Sequence, residues 1–407
     1  MMTGHQAYFW HAGVLAKFFA ADAWASSEGA ATAWIVPDQD AVDPFAMRVP
    51  VRTRDGRLME RRLRLVDGSD PRNIAACCVP AGVRAAPVPG GLTPESAVEG
   101  WSSMSAALRD HQASPNGAVQ VSRAARDLMS RWIAPAPTCF GTEVAGTTMF
   151  RRLVERMMAD PDACIEAYNR AAAAHPDARV APLVRDEVQY RFELPLWWIE
   201  AGGQRRRVFV EDLEEGRWQA ASPERPVGLA PRALLMTGVL RAWACDLFIH
   251  GTGGARYDLI TEAWFRDWLG LELAPMVTVS ADAFLDLGVG KVETDAAWRA
   301  HHARHAPEML GRTDVALGRR TIVDQIERAP RGSQLRRDAF RRLHDLLGSY
   351  RQAEAAALAE LDARAAEAAA RRGEADLERD RTWAFPLLRA EVLDALRDAF
   401  RSGAATG

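Results

Sequence analysis

The sequence predicts an α/β protein whose core of short strands and helices is split by a helical and hairpin insertion and followed by a coiled-coil arm. Three observations lead there. Helical spacing and then a short apolar strand open the chain, a second short strand returns near Met276 after a long run of helices and hairpins, and residues 335–372 are rich in Ala, Arg, Glu and Leu. The expected divisions are a first core part with a hairpin at 1–80, the insertion at 81–225, a second core part with a glycine-rich loop at 226–330, and the arm with a return segment at 331–407.

Val14, Leu15, Phe18, Phe19 and Ala23 recur at helical spacing, and Ala31–Val36 reads as a buried strand ending at Pro37. Residues 47–53 and 58–66 flank Asp55-Gly56, a dipeptide suited to the positive-φ positions of a tight turn, so a hairpin is expected, with Pro50 on an edge. Helical periodicity covers 94–109, 118–133 and 148–174, and a second hairpin is expected over 192–200 and 205–210, with Trp197 and Trp198 on opposite faces. Residues 231–243 read as a helix with proline in its first turn. An apolar run at 245–249, a glycine-rich turn, a helix over 257–269 and a strand at 276–280 follow, completing the same sheet.

A continuous helix over 335–372 would be roughly 57 Å long at about 1.5 Å per residue. Phe340, Leu343, Leu347, Tyr350, Ala357 and Leu361 follow steps of three and four, but Glu354 sits in the seam and Gly348 weakens the helix. An antiparallel or partner-dependent coiled coil results, with Gly373 as its stop and 375–396 packing back on it. A homodimer through this arm is expected.

Composition narrows the function. Of 407 residues, 48% are apolar and 26% charged, the balance of a folded globular chain. Lys+Arg 51 against Asp+Glu 54 leaves a net charge of −3, which gives no whole-molecule attraction to nucleic acid or anionic lipid, so a small-molecule partner is expected. The apolar opening from Ala7 to Ala23 is interrupted by His11, Lys17 and Asp22, so it reads as neither leader nor membrane span. Cys77, Cys78, Cys139, Cys164 and Cys245 form no CxxC or Cys/His spacing. No disulfide framework or metal site is expected, and a reducing cytoplasm is the default location. Lys17 and Lys291 are the only lysines, and Gly290-Lys291-Val292 lacks the residues of a P-loop.

Three segments have the residue types for chemistry. Gly4-His5-Gln6 leads to His11-Ala12-Gly13 and a helix carrying Lys17. Glycine admits a phosphate close to the backbone, the helix start offers free N–H groups, and imidazole donates to oxyanions. The alternative is that His5 and His11 are turn or capping residues beside an aromatic cluster. Asp38 and Asp40 follow a strand end, where open α/β sheets bind ligands, and could orient an amine or act as a base; the alternative is an Asx-type turn. His250-Gly251-Thr252-Gly253-Gly254 makes an anion-cradling loop before a helix, with Arg256 as a planar cation, Tyr257 beside it, and His250 and Asp258 as proton carriers. Its alternative is a sharp connection with no ligand.

In order and context, Thr3-Gly4-His5-Gln6, the helix through Lys17, Pro37-Asp38-Gln39-Asp40, the loop at 251–258 and the arm resemble the bacillithiol biosynthesis cysteine-adding enzyme family. The resemblance covers 3–45, 226–290 and 335–372. His5 stands for a glutamine, the acidic strand end has no histidine, and the loop has no glutamate. It is still more similar to a bacterial group carrying Gly-His-Gln, His-x-Gly-Val and Asp-Leu-Phe-Ile-His-Gly. The resemblance implies a Rossmann-like core of nucleotidyl-transferase type, of whose His-x-Gly-His motif His11-x-Gly13 keeps the first part. It implies a ligase or transferase that joins an amine of cysteine type to a small polar or sugar-linked acceptor, with ATP or another nucleotide as candidate cofactor. His5, His11 and Gly13 would then position a phosphate, Asp38 and Asp40 the amine, and the 251–254 loop with Arg256 and Asp258 would complete the pocket. Because Met1-Met2 directly precedes Thr3, the first parallel strand of such a core is expected to be missing. The competing reading is a non-catalytic binding or scaffold protein assembled through its arm.

Overall fold

A computed structural model describes residues 1–68, 71, 73–186, 188, 191–213, 218–290 and 293–404; Lys291 lies outside them. In chain order the first elements are β1 (Met2–Gly4), α1 (Ala12–Glu28), β2 (Ala33–Val36), β3 (Ala46–Arg52) and β4 (Leu58–Arg64). There follow α2 (Glu95–Asp110), α3 (Gly117–Met129), β5 (Thr138–Phe140), α4 (Gly141–Val144), α5 (Thr148–Ala159) and α6 (Pro161–Ala174). Next come β6 (Arg185–Asp186), β7 (Arg191–Ile199), β8 (Arg205–Phe209), β9 (Gly228–Pro231), α7 (Ala233–Trp243), β10 (Phe248–His250), α8 (Gly254–Leu269) and β11 (Met276–Thr278). The last helices are α9 (Ala296–Ala303), α10 (Thr313–Arg328), α11 (Gln334–Ala353), α12 (Ala355–Glu378) and α13 (Ala390–Ala404).

A five-stranded sheet in the order β11-β10-β1-β2-β5 is parallel throughout. The strand expected to be missing is present: Met2–Gly4 is β1, at the centre, with Met2 paired to Phe248 on one side and Ala33 on the other. Three residues suffice because both edges of the strand find partners, so its backbone groups are satisfied despite its length. Alternate residues face opposite ways. Met2, Ile35 and Phe248 pack into the cluster that includes Phe150, Ile165, Leu235 and Trp264, whereas Ile249 packs with Ala16, Ala20 and Ala21 of α1. Helices therefore cover both faces of the sheet.

Several sequence expectations are corrected. Residues 138–140, placed within the insertion, form β5 and pair with β2. The single helix over 148–174 is two, because Pro161 lacks an N–H and Asp160 caps the new start by accepting from Ala163 N at 3.0 Å. Pro231 does not start a helix; it ends β9, opposite Leu196 of β7. Both expected hairpins form, and Trp197 lies between the guanidinium groups of Arg205 and Arg232, 4.7 and 4.2 Å from its ring.

The chain divides into two compact units, Met1–Leu285 with the segment from Asp380, and Asp286–Arg379. Within the second, α10 packs on α11 and α9 on α12. The continuous helix expected over 335–372 breaks at Glu354, whose carboxylate meets Arg312 at 2.6 Å. Gly373 does not end α12, which continues to Glu378. The segment from Asp380 belongs to the first unit, where α13 packs on α1. It is held there by Arg48 to Asp380 at 2.7 Å, by Trp132 Nε1 donating to Asp394 at 2.7 Å, and by the buried Trp383 and Phe385. Among the described residues no helix is long and apolar enough to cross a membrane.

Candidate functional site

From β1 the chain runs through α1 to β2 on one side, and from β10 through α8 to β11 on the other. The crevice beyond the carboxyl ends of β1 and β10 is thus the topological switch point, where open α/β sheets bind ligands. A cavity of about 190 Å³ lies there, and α1 and α8 both begin at it.

The first wall is the β1–α1 turn. A Cβ at Gly4 would lie 1.9 Å from the Ile35 carbonyl oxygen, so only glycine lets the two strand ends approach. His11 caps α1, its Nδ1 accepting from Gly13 N at 3.1 Å, which leaves the proton of a neutral ring on Nε2. Burial, then the charges of Arg381 and Lys17, lower its pKa. The His5 ring stands edge-on to Tyr8 at 5.1 Å, and its Nδ1 is buried without a hydrogen-bond partner. Burial, then Lys17 and His11, bring the His5 pKa well below the usual histidine range. Lys17 is 3% exposed; its Nζ donates to the Gly4 carbonyl at 2.5 Å, and burial brings its pKa down to about 7. Gly4, His5, Gln6, His11, Gly13 and Lys17 all line the cavity.

The second wall is the β10–α8 turn, with His250, Gly251, Gly253, Gly254 and Tyr257 in the lining. A Cβ at Gly254 would lie 2.4 Å from His250 Nδ1, so glycine brings the start of α8 against the imidazole. No side chain caps that start. His250 Nε2 lies 3.0 Å from Asp258 Oδ2, which also accepts from Arg241 Nη1 at 2.5 Å; Arg241 reaches Glu262 at 2.5 Å and the Ala274 carbonyl at 2.7 Å. Burial pushes the Asp258 carboxyl up, but the hydrogen bond and charge of His250 and the charge of Arg241 outweigh it and hold the pKa below the ordinary range. Burial, followed by the charges of Asp258 and Asp40, raises the Tyr257 phenol.

The third segment is placed differently. Asp38 is fully buried outside the lining, its Oδ1 accepting from Thr142 N at 2.8 Å and its Oδ2 from Thr142 Oγ1 at 2.7 Å. It holds the start of α4, and burial raises its pKa to about 7. Asp40 also lies behind the wall, accepting from Gln6 Nε2 at 3.0 Å and pairing with Arg205 at 3.2 Å. Arg256 is exposed on α8 and does not line the cavity. The guanidinium serving the site is Arg241, which sequence reasoning missed although an arginine inside the apolar run 234–243 must find a buried partner. Thr237, Met236 and Ser280 also line the cavity and were unforeseen.

No Asp or Glu of the described residues lines this cavity, and no group of three or more His, Cys, Asp or Glu is placed to hold a metal among them. A second cavity, of about 570 Å³, is lined by Tyr8 and Phe9 of the same turn and by Arg48, Glu60 and Arg62 of the β3–β4 hairpin. Fold and crevice define an α/β protein with an open parallel sheet and, at its switch point, a small cavity lined by Lys17 and three histidines. No protein-family model and no curated protein matches the chain.

Proposed function

We propose that this chain is a ligase or transferase that holds an oxyanion of its substrate in the crevice and joins an amine to a small polar or sugar-linked acceptor. The observation that carries this reading is the cavity itself: two helix starts and Lys17 meet in it without a carboxylate. As the amine nitrogen bonds to the acceptor carbon, its proton passes to His250 Nδ1. The Nε2–H of His250 is held by Asp258, which makes Nδ1 the basic nitrogen. The bond to the leaving group breaks, and the departing oxyanion is held by Lys17 and the backbone amides of the two turns.

At about 190 Å³ the cavity suits one phosphoryl or carboxylate group, so the remainder of a nucleotide or sugar lies beyond it. The larger cavity beside Tyr8 and Arg62 is the place for the acceptor. In this reading the core is Rossmann-like, the protein is cytoplasmic, and the amine is of cysteine type, as the family resemblance implies. The arm is a coiled coil that assembles a homodimer, for which Leu335 and Phe340 are exposed at 60% and 50%. Calorimetric titration with ATP, ADP and amino-glycosides tests the reading. Binding that weakens at least tenfold in His250→Asn or Gly254→Val supports it, and absence of heat with all three ligands overturns it.

A further inference from the structure

Lys17 is the group that this mechanism explains least. It is 3% exposed, lines the cavity, and has one hydrogen bond, to the Gly4 carbonyl, with no ion-pair partner among the described residues. A buried ammonium without a counter-charge is costly. The groups around it add no negative charge at the cavity. His5 and His11 approach from the β1–α1 turn, His250 from β10 and Tyr257 from α8. Asp258 is engaged by Arg241 and His250, Asp40 by Arg205 and Gln6, and Asp38 by Thr142. Asp282 pairs with Arg381, and on α13 Arg401 meets Asp22. No carboxylate among the described residues is placed to balance the protonated amine, so an anion entering the cavity would supply its counter-charge, and His5 Nδ1, buried without a hydrogen-bond partner, is a second polar group at the same cavity.

We propose that the crevice is a proton-coupled receptor for a single oxyanion, a phosphoryl, sulfuryl or carboxylate group, and that Lys17 takes up a proton as the anion enters between the starts of α1 and α8. This rests on the oxyanion site of the proposed function and adds the linkage. Burial already places the Lys17 amine near neutrality, pKa about 7, so a bound anion raises its proton affinity, and by reciprocity each proton bound strengthens the anion. Above that pH, binding requires a proton from solution, and affinity falls about tenfold per pH unit.

The test uses the full chain and inorganic sulfate, which does not titrate between pH 6 and 9. Calorimetry in two buffers of different ionisation enthalpy measures proton uptake. With two lysines in the chain, 13C-lysine labelling follows Lys17 directly against Lys291. Sulfate that binds with proton uptake, and shifts the Lys17 titration upward by about one unit or more, supports the proposal. Lys17→Arg, which stays charged, is expected to keep sulfate binding and lose its steep pH dependence. Sulfate binding with an unmoved Lys17 signal, or uptake that persists in Lys17→Arg, overturns the coupling while leaving the oxyanion site standing. No sulfate binding at any pH overturns both.

Discussion

Two carboxylates beyond β2 and β10, the strands on either side of β1, reach opposite fates. Asp38, just past β2, is fully buried and engaged by both donors of Thr142, whereas Asp258, one turn into α8, is equally buried but shares its Oδ2 between His250 and Arg241. Burial drives the Asp38 carboxyl up to about 7, and the hydrogen bonds from neutral Thr142 offset only part of that; the Asp258 carboxyl is equally penalised by burial, but the hydrogen bond and charge of His250 and the charge of Arg241 hold it down. Position at a strand end does not make a carboxylate part of a site. Of these two, Asp258 is the one whose partner, His250, lines the cavity; Thr142 does not.

The comparison breaks most visibly at Arg241. Replacing it with Met leaves Asp258 buried without its cation, and we expect a loss of about 3–5 kcal/mol in urea unfolding; adding Asp258→Asn is expected to recover part of this. An unchanged midpoint in Arg241→Met would remove the physical basis of the pair. Gly254→Ala, whose Cβ would meet His250 Nδ1 at 2.4 Å, is expected to cost about 1–3 kcal/mol and weaken oxyanion binding, measured by the same unfolding curve and by titration.

Asp38→Asn is expected to cost about 1 kcal/mol, since Thr142 keeps an acceptor, and to leave oxyanion binding intact. Its pH signature is the sharper measurement. The native Asp38 carboxyl, raised from 3.8 to about 7, binds more protons than the unfolded chain, so its contribution to stability is full below 3.8 and is lost as pH rises to about 7. Asp258, lowered, has the opposite sign: its contribution is present above 3.8 and is lost as pH falls through its native pKa. Asp38→Asn therefore flattens the fall between pH 4 and 7, read from urea midpoints across that range. The smallest effect belongs to Arg256→Ala, exposed and outside the lining. We expect less than about 0.5 kcal/mol and unchanged sulfate affinity, and a tenfold loss of affinity would return Arg256 to the site.

The legible parts of the fold carry a local signal. Asp55-Gly56 between alternating strands marks the first hairpin, and His250-Gly-Thr-Gly-Gly254 before an amphipathic run marks the β10–α8 turn. Strands β1, β5 and β9 are three or four residues long, too short for any period, and exist because neighbours on the sheet pair with them. The placement of the end of the chain carries no local signal either. Asp380, Trp383 and Asp394 find partners in Arg48 and Trp132, hundreds of residues away, which no local pattern announces.

By itself the amino-acid order determined which residues belong to the two turns, because glycines beside histidines and a helix start are local chemistry. Tertiary structure alone decided that these turns face one another, that Lys17 lies between them with no ion-pair partner among the described residues, and that Asp38, Asp40 and Arg256 stay outside the lining. The physical reason is that a side chain's charge and reach are written in its own covalent structure, while its solvent exposure and partners depend on segments brought alongside by the pairing of β1 with β10.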